Sequence, residues 1–195
     1  MSNSKIPKAI FSWLIIFSII LLVSGCARWP DGPGPEPGET DYQLKITVEV
    51  KGEINTDEGI YYIVLDTNEN SADGPGDDIS LWEDNYYYIK LENGLFYFAQ
   101  KEEGSPEIDL VDSLSIGNKL EVTIALKDLG NPSSVDINVL TTDSENITYD
   151  SLDNGYFTIN TKTLGSIPDI LEDPVDSQDG VDFVIVKVTA QITIP

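Results

Sequence analysis

The chemistry open to this chain is bounded first by what it lacks. It has 195 residues, no His, and a single Cys at position 26. Without an imidazole there is no Ser-His-Asp triad, no Cys-His pair and none of the usual zinc or iron ligand sets. One Cys also precludes an intramolecular disulfide. Carboxylates dominate instead, with 34 Asp plus Glu against 11 Lys plus Arg and a formal charge of −23. Carboxylates alone can hydrolyse glycosides, but that needs two of them at a fixed separation across a cleft. Here they are scattered and no pair stands out, which argues against an enzyme. So acidic a surface repels nucleic acid and attracts cations, calcium above all. Much of the charge also serves solubility.

One stretch spaces its oxygens regularly. In Leu65-Asp66-Thr67-Asn68-Glu69-Asn70-Ser71-Ala72-Asp73-Gly74-Pro75-Gly76-Asp77-Asp78, the residues Asp66, Asn68 and Asn70 alternate, and Asp77 lies eleven positions beyond Asp66. An EF-hand-like loop places its first, third, fifth and last side-chain ligands at these spacings. Calcium takes about six to eight hard oxygens, and a tight loop can aim alternate side chains inward to supply them. The sixth position is Ser71 rather than Gly, the last ligand is Asp77 rather than Glu, and no helices flank the loop. The expectation is therefore a calcium loop on a β scaffold, with Asp66, Asn68, Asn70 and Asp77 as ligands. The alternative is a solvated, turn-rich connection. A second acidic stretch, Asp169, Glu172, Asp173, Asp176, Asp179 and Asp182, reads as a solvated loop.

Cys26 sits where its thiol has a use. Met1 to Lys8 carry two positive charges and no negative one, and an apolar run from Ala9 to Val23 is interrupted only by Ser12 and Ser18. That order is a secretory signal, and the run is short of the ~20 residues a spanning helix needs. Leu22-Val23-Ser24-Gly25-Cys26 resembles a lipobox, the cleavage site of bacterial lipoprotein precursors. The resemblance implies a diacylglycerol thioether on Cys26, cleavage after Gly25 and a lipidated N-terminus. Two or three acyl chains, at about 0.8 kcal/mol per buried CH₂, make a stable anchor. The expected location is extracytoplasmic, on the bacterial cell membrane. In a Gram-negative cell, Ala27 after the lipidated Cys favours the outer membrane.

Residues 28–40 read Arg-Trp-Pro-Asp-Gly-Pro-Gly-Pro-Glu-Pro-Gly-Glu-Thr, the composition of an extended tether. The expected organisation is a signal peptide at 1–25, a lipidated Cys and tether at 26–40, and a folded domain at 41–195. The mature chain would carry nine Lys plus Arg against 34 Asp plus Glu.

The domain alternates with period two. Leu44, Ile46, Val48 and Val50 predict a strand with one buried face. Ile60 to Leu65 is a continuous β-branched and aromatic run, suited to a central strand. Tyr86 to Leu91 and Leu95 to Ala99 flank Asn93-Gly94, a hairpin signal. Leu120 to Leu126 and Val135 to Val139 alternate again. Asp153-Asn154-Gly155 is expected to turn into Tyr156 to Ile159 from a short partner at Ile147 to Tyr149. Val181 to Ile194 reads as one long strand, paired on both sides. Lys127 to Gly130 suggest a single helical turn. About eight strands imply an all-β antiparallel β-sandwich.

Two segments carry a further likeness. Tyr61-Tyr62-Ile63-Val64-Leu65-Asp66-Thr67-Asn68, and Asn118 to Gly130 followed by Ile137-Asn138-Val139, resemble family-9 carbohydrate-binding modules and the wider DOMON-like sandwiches. The resemblance covers about half of the folded part. It implies a two-sheet sandwich, structural calcium, and a sugar held between aromatic rings. Such modules clamp sugar with two Trp residues. Here the folded part has only Trp82, so Tyr86, Tyr87 or Tyr88 would supply the second ring. The expected function is a membrane-anchored, calcium-stabilised module that binds carbohydrate or another envelope component. The alternative is a structural lipoprotein whose ligand is an envelope protein. Trp82 itself could also pack on the sandwich edge.

Overall fold

The first sheet follows from the alternation. β1 (Gln43–Val50) buries Leu44, Ile46, Val48 and Val50 and leaves the residues between them half-exposed. The fold is a computed structural model in which residues 41–70, 72–152, 155–162, 169–172 and 180–195 are described, 169–172 as backbone only. The proposed signal, Cys26 and the tether lie outside these residues, as do Ser71, Asp153, Asn154 and the acidic positions 173–179. Thr40–Pro195 forms one compact unit that holds both hydrophobic clusters.

The strands are β1, β2 (Ile60–Asp66), β3 (Tyr87–Glu92), β4 (Leu95–Gln100), β5 (Ile108–Asp109), β6 (Ser113–Ile116), β7 (Lys119–Ala125), β8 (Ser134–Thr142), β9 (Thr148–Ser151), β10 (Phe157–Asn160), β11 (Asp169–Glu172) and β12 (Ile185–Thr193). All pairings are antiparallel. One sheet runs β11-β12-β1-β7-β6, and the other runs β10-β8-β2-β3-β4-β5 with β9 also on β8. The two pack face to face as a β-sandwich. Its interior is apolar: Leu44, Ile46, Val48, Leu120, Val122, Val188 and Ala190 from one sheet meet Tyr61, Ile63, Leu65, Ile89, Leu91, Ile137 and Val139 from the other. Each such aliphatic side chain contributes about 1.5–3 kcal/mol by leaving water.

The β3–β4 hairpin closes at Asn93-Gly94, both with positive φ (51° and 77°), which suits the right-handed strand twist. The turn after β7 spans Leu126–Leu129 and ends on Gly130.

Four expectations are corrected. The strand count among the described residues is twelve, because edges are completed by strands of two to four residues. The final strand starts at Ile185, after a single turn at Val181–Phe183. A register shift against Glu49/Val50 breaks its alternation, so Ile185 and Val188 both face the core. β9 and β10 do not pair with each other. They add in succession to opposite ends of β8, β9 at Leu140–Thr142 and β10 at Ser134–Ile137. Asp169–Glu172 is a strand on β12 rather than loop, and it gives the last strand its second partner.

The central pair, β2 and β8, is buried on both faces. Tyr61, Ile63 and Leu65 face the sandwich interior. Ile60, Tyr62, Val64 and Asp66 face outward, yet they are covered too. What covers them positions the candidate site.

Candidate functional site

The cover is the segment from Thr67 to Tyr86, folded back over the outer face. Trp82 and Tyr86 are only 6% and 4% exposed and pack with Ile60, Tyr62, Val64 and Leu140. Three successive carbonyls pin the strap. Pro75 O accepts from Asn138 Nδ2 at 2.9 Å, Gly76 O from Trp82 Nε1 at 3.0 Å, and Asp77 O from Thr148 Oγ1 at 3.0 Å. Farther back, Glu69 Oε1 accepts from Ser133 N at 2.7 Å; the Ser133 side chain first, and this N–H second, hold the Glu69 carboxyl below its usual range. Gly74 lies flat on the Tyr156 ring, where a Cβ would come within 2.5 Å of ring carbons.

Of the four residues expected to bind calcium, three each give one side-chain oxygen to the backbone. Asp66 Oδ1 accepts from Asn68 N (2.8 Å), Asn68 Oδ1 from Asn70 N (2.6 Å), and Asn70 Oδ1 from Ala72 N (3.4 Å). The alternate spacing thus builds successive Asx turns, each using one side-chain oxygen to hold the backbone two residues on. Asn68, Asn70 and Asp77 are exposed. Asp66 differs, being 1% exposed, with Oδ2 buried and unpartnered.

Asp66 has polar company on the sheet. It pairs in register with Asp136, and Asn138 stands on the same face, opposite Val64. Asp136 is buried and accepts a short hydrogen bond from Thr158 Oγ1. Asn138 is fully buried, and its Oδ1 has no partner. Leaving such a group unsatisfied costs about 1–3 kcal/mol. Burial raises the Asp66 pKa; the Asn68 N–H opposes this, and Asp136, Glu83 and Asp73 add to it. Burial and the same four carboxylates push Tyr86 up to about 12. Among the described residues, no group of three or more His, Cys, Asp or Glu side chains is placed to hold a metal. A cation here would need mixed donors, carboxylate with amide and carbonyl oxygens.

Beside the strap is a hollow of about 180 Å³ lined by Tyr62, Ile79, Trp82, Tyr88, Lys101, Glu107 and Asn146. Its floor is a triangle of rings: Tyr62–Trp82 at 5.6 Å and nearly perpendicular, Tyr62–Tyr88 and Trp82–Tyr88 both at 6.2 Å. Polar groups rim it. Tyr62 Oη donates to Asn146 Oδ1 (3.2 Å) and Tyr88 Oη to Glu107 Oε1 (3.0 Å). Lys101 Nζ lies 6.0 Å from the Trp82 ring. Burial works against the charge of Lys90, but Glu107 and Glu92 more than offset it and hold the ammonium above its usual pKa.

No protein-family model, curated protein or solved structure matches the chain.

Of the aromatics expected to bind ligand, Trp82 and Tyr88 line the hollow; Tyr86 does not, and Tyr87 stacks on Phe98 instead. Trp82 is held by the strap and presents little free face. Sequence reasoning missed Tyr62, Lys101, Glu107 and Asn146 in the hollow, and Asp136 and Asn138 on the sheet. A signal for Tyr62 was available: the run Ile60 to Leu65 is apolar on both faces, so something must cover the outer one.

Proposed function

We propose that this chain is a membrane-anchored, extracytoplasmic lipoprotein whose β-sandwich is a calcium-stabilised binding module. It holds one small polar ring compound, such as a single sugar unit of an envelope glycan. The observation that carries this reading is the hollow floored by Tyr62, Trp82 and Tyr88 and rimmed by Lys101, Glu107 and Asn146. Ligand sites combine an apolar or aromatic floor with a few placed polar groups. At about 180 Å³ the hollow is smaller than the ~300–1,000 Å³ of drug-sized sites, which favours one ring over an extended chain. The absence of His and the anchor motif at Val23-Ser24-Gly25-Cys26 support a binding role at a membrane surface rather than catalysis.

Trp82 is the single Trp of Thr40–Pro195 and reports on the hollow. Titrating that unit with a panel of neutral, amino and acidic monosaccharides should change its fluorescence saturably for one class. Lys101→Ala and Asn146→Ala should weaken the response. A flat response across the panel, in calcium as in EDTA, would sink the sugar reading. Radiolabelled palmitate incorporation that disappears in Cys26→Ala tests the anchor.

A second reading has its own support. Leu95, Ile108, Val111, Leu114 and Ile116 are exposed around the edge formed by β4, β5 and β6, beside a cleft of about 340 Å³. Clustered exposed apolar side chains favour a protein partner, and with it the structural lipoprotein of the envelope. Cross-linking in cells that captures a partner, lost in Leu114→Lys and Ile116→Lys, would support it over the sugar module.

A further inference from the structure

The structure assigns a divalent-cation site of the calcium class to the outer face of the β2–β8 pair. Its side-chain ligands are Asp66, Asp136 and Asn138, beneath the strap. Two observations carry this independently of the acidic loop. The first is the pair of buried, unpartnered oxygens, Asp66 Oδ2 and Asn138 Oδ1. The orientation of the Asn138 amide is not arbitrary. Its Nδ2 donates to Pro75 O, and the flipped amide would set oxygen against oxygen. Oδ1 is therefore the atom left in need of a positive partner. The second is the register. Asp66 stands directly across from Asp136, with Asn138 on the same face. Directly opposed side chains have Cβ atoms about 4.5–5.5 Å apart, and diagonal ones about 7–8 Å. Opposed like charges on a buried face are destabilising.

A proton on Asp66 would neutralise one carboxylate, and a buried water would neutralise neither. A divalent ion balances both and accepts the amide oxygen as a ligand. Hard, mixed oxygen donors select calcium over metals that prefer nitrogen or sulfur. Because Pro75 is held by the same Asn138, the ion would also fix the strap that holds Trp82.

This deepens the calcium part of the reading above by moving the ligands from the exposed Asn68, Asn70 and Asp77 to the sheet face. The test is terbium luminescence sensitised by Tyr86 and Trp82 in Thr40–Pro195, competed with calcium chloride. Calcium should displace terbium saturably. Asp66→Asn and Asp136→Asn should weaken calcium by roughly 10-fold or more, whereas Asn68→Ala and Asp77→Ala should change it little. Circular dichroism checks each variant's fold. Asp66→Asn should melt above wild type in EDTA, because the new amide keeps the acceptor for Asn68 N and removes a buried carboxylate opposite Asp136. Loss of binding in Asn68→Ala and Asp77→Ala with retention in Asp136→Asn would overturn the sheet site and leave calcium in the loop. No displacement at millimolar calcium would overturn both.

Discussion

The two faces of the β2–β8 pair are equally buried and differently built. The inner face is mostly aliphatic, with Tyr61 and Thr141 hydrogen-bonded to Asp182 O and Phe183 O, and it packs against the opposite sheet. The outer face is aromatic and polar, and its cover is a strap drawn from the chain itself. An interior assembled by two sheets is satisfied mostly by shape. A face covered by a loop must also satisfy the loop's carbonyls, so it recruits Asn138, Trp82 and Thr148 as donors. In doing so it leaves oxygens behind. The contrast separates a face closed by apolar packing from the face on which the proposed ligand sites lie.

The largest expected effect that sharpens this contrast is Trp82→Ala, about 3–5 kcal/mol in urea unfolding. Hydrogen exchange should locate the loss. The Trp82 variant should raise exchange in residues 74–86 and leave β1, β7 and β12 protected. Ile137→Ala, about 2–5 kcal/mol, should raise it throughout. Equal profiles would mean that the two faces unfold as one. Next is Gly74→Ala, whose Cβ collides with the Tyr156 ring, expected at about 1–3 kcal/mol. It should also weaken any calcium-dependent rise in melting temperature.

Asp66 gives a comparison of sign. Its folded pKa is raised, so the native state holds the proton more tightly than the unfolded chain, whose Asp titrates near ~3.9. In EDTA, stability should fall as pH rises from about 4 through the folded value, then level off. Asp66→Asn should remove that slope and stabilise the protein at neutral pH by about 1–3 kcal/mol. Calcium should reverse the trend for wild type, since the ion needs the ionised form. A wild-type profile that stays flat in EDTA would place Asp66 in water. The smallest effect is Tyr62→Phe, which loses one hydrogen bond to Asn146, about 0.5–1.5 kcal/mol.

Legibility in the sequence divides along the same line. The inner face could be read because Leu44 to Val50 and Leu120 to Ile124 alternate and Asn93-Gly94 dictates its turn. The outer face could not. Asp136 and Asn138 sit at the polar positions of an alternating strand, which period alone assigns to solvent. They are buried by distant chain: Asn138 bonds to Pro75 O of the returning strap, and Asp136 accepts from Thr158 of β10. The Asp66, Asn68 and Asn70 spacing was equally compatible with ligands around an ion and with Asx turns, because both use the same side-chain oxygen. The bulge beside Val50 was invisible because Phe183 to Ile194 alternates well enough on paper. For Trp82, sequence offered two readings, and the structure combines them: it packs from the strap onto the sheet face and still contributes an edge to the hollow.

β1 is the strand nearest the N-terminal segment, and it lies inside its sheet, with eight residue pairs to β12 and seven to β7. A pull along the chain from before Asp41 therefore loads two antiparallel ladders lengthwise at once. β1 can leave the sheet only by giving up both ladders, so the N-terminal segment meets the domain at a strand held on two sides and not at a free edge.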